Sequence, residues 1–248
     1  MTRGRLLVGT SGFAYPGWAP RFYPAELRPD GLLEWYASRL PAVELNNTFY
    51  QRPSAARIAG WVGSTPPAFR FVVKAQRGAA MRALGATPED SVIWLTEDLG
   101  GFGERLGAVL FRVPHNMHRR ADGTSDLALR RVLAAWPAAI RLVFEFQHAS
   151  WHVDETFAAL RGAGVTLCAT DVPEDVEPPT IRRTGGLLYL RLRRHDYSAA
   201  ELGAWAARVG PFLDDGLDAF VFFRHDETGR ATEFADALRE AAPVRRRR

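Results

Sequence analysis

Lys74 is the only lysine in a chain whose lysine and arginine residues number 32. Arginine serves wherever a positive surface charge is enough, so the two residue types part company where a compact, rotatable amine is needed. An amine can also be deprotonated near neutrality once burial has lowered its pKa, which a guanidinium cannot. Lys74 closes the apolar run Phe69-Arg70-Phe71-Val72-Val73, which reads as a buried strand. A lone amine at the end of a core strand is a candidate functional group. The competing reading is an amine held in a structural ion pair, since such pairs also perturb titration.

Polar groups recur at the ends of other apolar runs: Thr10-Ser11, Glu44 with Asn46-Asn47-Thr48-Phe49-Tyr50, Arg112 with Pro114-His115, Phe144-Glu145-Phe146-Gln147-His148, Thr170-Asp171, Arg191 with Arg193 and His195, and Arg224-His225-Asp226. Strand side chains alternate faces. Glu145 therefore opposes Phe144 and Phe146, and Glu44 shares a face with Asn46. A carboxylate on an inward face is costly unless paired; Lys74, Arg112 and Arg191 are the available partners. The predicted catalytic groups are Lys74, Glu44, Glu145 and Asp171. The predicted substrate-binding groups are Thr10, Ser11, Tyr15, Asn46, Tyr50, Arg112, His148, Trp151, Arg191 and Asp226.

Three chemistries fit such a set. A buried lysine beside a carboxylate could form a Schiff base or shuttle a proton. Lys74, Arg112 and Arg191 could grip a phosphate or carboxylate while Glu44 or Glu145 acts as general acid or base and Asp171 and Asp226 orient them. Carboxylates with a histidine could hold a divalent metal, but no ligand pair at helical or Asp-x-Asp spacing supports that, and the cations would compete. No metal ligand set and no cofactor is predicted. The aromatic residues of the first long loop, Phe13, Tyr15, Trp18, Phe22 and Tyr23, form either a small core for that loop or a stacking surface.

These groups need elements to position them. Strands are predicted at Leu6–Gly9, Ala42–Leu45, Phe69–Ala75, Gly107–Arg112, Ile140–Phe146, Val165–Thr170, Leu187–Leu192 and Ala219–Arg224, most of them near-continuous apolar runs as in parallel strands covered on both faces. Helical spacing is predicted over Gly31–Leu40, Ser54–Val62, Pro88 through Leu99 with Thr87 as N-cap, Ser125–Trp136, Asp154–Leu160, Ser198–Leu213 and Thr232–Ala241. Pro173, Pro178 and Pro179 argue for a loop over Val172–Thr184 in place of the sixth helix. Eight strands alternating with helices in 248 residues predict an α/β fold, a TIM-like (β/α)8 barrel. A doubly wound sheet would want a glycine-rich turn that Gly9-Thr10-Ser11-Gly12 does not match. One barrel domain is predicted over 1–242, with an arginine-rich tail over 243–248.

The formal charge is +4, and Arg245 to Arg248 account for it, so the body is balanced and is not a nucleic-acid binder on charge alone. Nucleic acid contact through the tail is a weaker alternative to a small anionic ligand. Cys168 is the only cysteine; it excludes an internal disulfide, fits a reducing cytoplasm, and lies in an apolar run as a buried thiol. The first residues lack a signal-peptide apolar region, and no stretch approaches about 18 uninterrupted apolar residues. The expectation is a cytoplasmic chain without membrane contact.

Val8-Gly9-Thr10-Ser11-Gly12-Phe13-Ala14-Tyr15-Pro16-Gly17-Trp18 with Phe22-Tyr23-Pro24, then Val43 to Tyr50, Phe69 to Ala75, Leu110-Phe111-Arg112-Val113-Pro114 and Phe144 to Trp151, resembles the YecE-like family, the domain of unknown function numbered 72. The resemblance spans nearly the whole chain. It implies a TIM-like barrel and membership of a widespread bacterial and archaeal family, and it brings no established reaction. The chain departs from the family pattern at Gln147, where arginine is usual, at Arg193-Arg194, where His-Gly is usual, and at Arg224-His225, where Asn-Asn is usual. The asparagine expected near Glu233 is absent; His195 is the candidate replacement for the lost histidine. The preferred reading is an enzyme, a hydrolase, isomerase or lyase, acting on a small or terminal anionic substrate. The alternatives are a non-catalytic nucleic-acid or ligand-binding barrel and a structural or partner-binding barrel with a charged core network.

Overall fold

The computed structural model describes residues 2–85 and 87–242. Strands β1 (Leu6–Ser11), β2 (Ala42–Leu45), β3 (Arg70–Lys74), β4 (Leu106–Val113), β5 (Leu142–Phe146), β6 (Thr166–Leu167), β7 (Ala169–Asp171), β8 (Leu187–Leu192) and β9 (Asp218–Phe223) alternate with helices α1 (Leu32–Arg39), α2 (Ala55–Gly63), α3 (Arg77–Ala83), α4 (Pro88–Thr96), α5 (Thr124–Ala135), α6 (Asp154–Gly162), α7 (Ala199–Asp214) and α8 (Arg230–Ala241). Repeated strand–helix units with parallel ladders make this an α/β fold of the TIM-like barrel class.

The chain folds as two compact units. The first is drawn from Met1–Glu44, Thr170–Thr180 and Leu187–Arg248. Within it the strand order is β2-β1-β9-β8-β7, and parallel ladders pair Ser11 with Glu44, Val8 with Val221 and Arg191 with Phe222. Helix α7 begins with a reciprocal cap: the Ser198 hydroxyl accepts from the Glu201 amide and the Glu201 carboxylate accepts from the Ser198 amide. Its stripe of Leu202, Trp205, Ala206, Val209 and Leu213 is buried, and Gly216 at φ 84° follows its end.

The second unit is drawn from Leu45–Ala169 and Ile181–Gly186. Its strands run β3-β4-β5-β6, with Lys74 paired to Leu110 and Arg112 paired to Glu145. Phe71, Phe111 and Phe144 are fully buried, which is why these strands read as unbroken apolar runs.

The structure adds to and corrects the predicted elements. Helix α3 is an addition, because its Ala- and Gly-rich sequence carries no apolar stripe. The helix opened by Pro88 stops at Thr96 rather than reaching Leu99: Asp98 takes a left-handed conformation at φ 67°, and a 3-10 segment Leu99–Arg105 follows. Thr87 occupies the N-cap position without capping the backbone; its hydroxyl lies 3.4 Å from that of Ser91. The predicted sixth strand is two short pieces either side of Cys168, whose amide donates to the Phe144 carbonyl and whose thiol is buried. Residues 172–184 carry no helix, as the prolines imply. Among the described residues no helix is long and apolar enough to cross a membrane. The arginine run Arg245–Arg248 lies outside the described residues.

Gly9 is a position where only glycine fits. A Cβ there would meet the Ala42 carbonyl oxygen at 1.9 Å and the Tyr36 hydroxyl at 2.9 Å. Paired backbone cannot yield, so Gly9→Ala should lower the unfolding free energy by about 3 kcal/mol, read by urea denaturation at unchanged slope.

Candidate functional site

The first unit buries Glu44 completely. Its Oε1 accepts from the Ser11 hydroxyl at 2.8 Å and from Arg191 Nη2 at 3.0 Å, and its Oε2 accepts from the Tyr189 hydroxyl at 2.7 Å. The sequence dictates this meeting. The β1–β2 register sets Ser11 beside Glu44, and Tyr189 and Arg191 are two apart on β8, hence on one face. Arg191 is 2% exposed, so the pair is shielded from solvent. Burying the two charges is costly, and their attraction with the added hydroxyl donors offsets that cost. Loss of either partner leaves the other as a buried, uncompensated ion.

Beyond these strands Asp171, buried at the end of β7, accepts from Arg194 Nε at 2.9 Å through Oδ1 and from the Tyr197 hydroxyl at 2.9 Å through Oδ2. Burial pushes the Tyr197 phenol well above its ordinary pKa, and the Asp171 charge pushes the same way, so this phenol stays a donor. The hydrogen bond to Asp171 raises the Arg194 guanidinium in turn.

The second unit carries its own polar face. Lys74 ends β3 at 5% exposure; its Nζ donates to Asn46 Oδ1, and its amide donates to the Thr48 hydroxyl at 3.0 Å. Arg112 Nε donates to Glu145 Oε2 at 2.5 Å. Register puts Lys74 opposite Leu110, and Leu110, Arg112 and the Arg112 partner Glu145 share its side of the sheet. The Arg112 guanidinium lies 5.2 Å over the Phe49 ring. Nε and one guanidinium face are thus held, while among the described residues the two amino groups donate to no protein acceptor. The Arg112 side chain is 20% exposed against 3% for Glu145, so the pair joins a buried anion to a partly exposed cation.

Other predicted site residues have local roles. Thr10 is buried, donating to the Gly12 carbonyl at 2.7 Å and sharing a 2.9 Å hydrogen bond with Tyr36; burial pushes the Tyr36 phenol up. Tyr15 donates to the Ser11 carbonyl at 3.2 Å, and its ring stacks on His225 at 4.8 Å. Tyr50 is 76% exposed. His148 stacks on His118 at 3.8 Å, and its Nδ1 accepts from the Ser150 amide at 3.1 Å. Trp151, one of the predicted substrate-binding groups, is a core residue: it is 1% exposed and its indole N–H donates to the Met117 carbonyl. Trp18 and Tyr23 of the first loop are buried as well, so that loop has a small core of its own.

Asp226 serves the start of α8. Its carboxylate accepts from the amides of Thr228, Arg230 and Ala231 and from the Thr228 hydroxyl. Desolvation is the largest single influence and raises its pKa, but those donors together outweigh it and the net shift is downward. Of the departures from the family pattern, Arg194 joins Asp171 as described, Gln147 and Arg224 are exposed, and Glu233 lies 3.3 Å from Arg21. Sequence reasoning misses Tyr189 and Tyr197. The signal available was parity for Tyr189, two residues before Arg191; none marked Tyr197. Among the described residues no group of three or more His, Cys, Asp or Glu side chains is placed to hold a metal ion.

Arg191→Leu strands Glu44 and should lower stability by about 3–5 kcal/mol; Glu44→Leu/Arg191→Leu should lose less than the sum of the two single variants, by urea denaturation. The depressed pKa of Asp226 means its contribution is present above the unfolded-state pKa and is lost as pH falls through the folded-state value. Asp226→Asn should therefore cost about 0.5–1 kcal/mol at pH 7, with the difference closing in acid, as followed by melting curves against pH.

Comparison with known proteins agrees with the fold. The chain is 25% identical over 268 residues to the UPF0759 protein YunF of Bacillus subtilis (strain 168), covering 92% of this chain and 93% of that one. It superposes on the crystal structure of a DUF72 family protein of Thermotoga maritima MSB8 with a TM-score of 0.82 at 26% identity, covering 95% of this chain and 98% of that one. A DUF72 family protein of Enterococcus faecalis V583 superposes with a TM-score of 0.77 at 19% identity over 97% of this chain and 98% of its own. Residues 7–248 match the family described as protein of unknown function DUF72, and the chain belongs to that family.

Proposed function

We propose that the chain is an enzyme acting on a small or terminal anionic substrate, phosphorylated or carboxylated, held at the C-terminal ends of β3, β4 and β5. The observation that carries this reading is Arg112. Its Nε is fixed on Glu145 and its plane is set over Phe49, while both amino groups of the fork are without a protein acceptor among the described residues. That is the arrangement a bidentate phosphate or carboxylate contact requires, with the rotamer entropy already lost. In barrels of this class the chemistry sits at the C-terminal ends of the strands, where Lys74 and Glu145 also stand. Lys74 supplies the tunable amine, oriented by Asn46. Glu145 is the acid/base group of the reading, and Arg112 holds it in place.

Glu44 has a different part in this reading. Ser11, Arg191 and Tyr189 donate to its two oxygens and it is sealed from solvent, so it positions its own strands rather than meeting substrate.

Inorganic phosphate is the test probe. Saturating phosphate should raise the melting midpoint of the wild type by ligand linkage. Arg112→Gln should weaken the apparent phosphate affinity by about tenfold or more, the worth of one or two charge-assisted hydrogen bonds. Equal shifts in wild type and variant, or none in the wild type, would remove the basis of the reading.

A further inference from the structure

The Pro-rich segment that replaces the sixth helix leaves a cavity of about 180 Å3 within the first unit. One wall is a single stripe of α7, because Glu201, Ala204, Trp205 and Arg208 fall at helical spacing. Val176 and Pro178 of the loop form the other wall, and the Asp171, Arg194 and Tyr197 cluster forms the floor. The walls are largely apolar, and two arginines, Arg194 and Arg208, line the cavity from different elements.

Both guanidiniums have donors to spare. Arg208 stacks on Trp205 at 4.4 Å, and its Nη2 donates to the Pro179 carbonyl, but its Nη1 is enclosed with no acceptor among the described residues. An enclosed donor left unmet costs about 1–3 kcal/mol, and more when charged. Arg194 uses Nε on Asp171 and Nη2 on the Asp175 carbonyl, leaving Nη1 without a partner among the described residues. Asp171 is met by Arg194 and Tyr197, and Glu201, exposed at the helix start, takes the amide and hydroxyl of Ser198 on Oε2. The buried atom left unmet at this cavity is a donor, Arg208 Nη1.

We propose that this cavity is a second anion site, distinct from the Arg112 fork, and that it takes a small organic carboxylate with a flat apolar body. The carboxylate meets the spare amino groups of Arg208 and Arg194. The body lies between Trp205 and the loop wall of Val176 and Pro178. A phosphate alone would satisfy the donors and leave the apolar walls unfilled, so the body carries part of the selectivity. Val176 is 91% exposed, so little of that side chain is buried to hold the loop down, and access requires only that the loop shift.

Benzoate is the probe, with neutral benzamide and cationic benzylamine as controls. The readout is the indole 1H–15N resonance of Trp205, identified by its loss in Trp205→Phe. Benzoate should move that resonance saturably, and benzamide and benzylamine should bind about tenfold more weakly or worse. Arg208→Gln should weaken benzoate by about tenfold or more, while Arg112→Gln should leave its effect on Trp205 unchanged. Ala204→Trp fills the cavity without removing a charge and should abolish the shift while the protein remains folded by circular dichroism, which guards against misreading a misfolded Arg208 variant. No saturable shift in the wild type, a preference for benzylamine, or an undiminished shift in folded Ala204→Trp would overturn the proposal.

Discussion

Charge buried among parallel strands must be answered by charge, and that requirement organises this molecule. Its strands are covered on both faces and are built from Val, Leu and Phe, so each acidic side chain inside them is destabilising unless a cation and further donors reach it. Glu44 is met by Arg191 with Ser11 and Tyr189, and Glu145 by Arg112. The two pairs are solved differently. In the first both ions are shielded from solvent, which suits a role in fixing strand register. The second has a buried anion and a partly exposed cation, which leaves part of the cation available. The same interaction type is thus fully enclosed in one unit and partly exposed in the other.

The fork of Arg112 also shows why a single ion pair can be more useful incomplete than complete. A guanidinium held through both amino groups would have little left to offer a ligand; one held through Nε keeps two parallel donors in a fixed plane. Phe49 limits rotation about the remaining axis. The loop after β2 helps position Lys74, through Asn46 and Thr48. The only lysine in an arginine-rich chain therefore sits where its small amine is enclosed and oriented.

Much of the fold was legible because its strands are fully buried: an unbroken apolar run needs no alternation to be recognised, and all eight predicted strand positions are occupied. Parity also turned Glu44 and Glu145 away from their apolar neighbours and offered Lys74, Arg112 and Arg191 as partners without assigning them; in the structure Arg191 meets Glu44 and Arg112 meets Glu145. Other features had no local signal. Helix α3 is too small-sided to show an apolar stripe, and the end of α4 depends on the left-handed Asp98, which no rule of spacing marks. Tyr197, Arg194 and Arg208 acquire their partners through loop and helix packing between segments distant in sequence. Trp151 reads as a loop aromatic because sequence places it after a strand, while packing on Phe146 takes it into the core.

If Glu145 fixes Arg112 through Nε and leaves its amino groups to an anion, arginine side-chain 15N spectra during an inorganic phosphate titration will report both. The Arg112 Nε–H should exchange slowly and lose that protection in Glu145→Gln, and phosphate should shift the Arg112 amino resonances with Nε–H still protected. A fast-exchanging Nε–H in the wild type, or amino resonances that ignore phosphate, would contradict that arrangement.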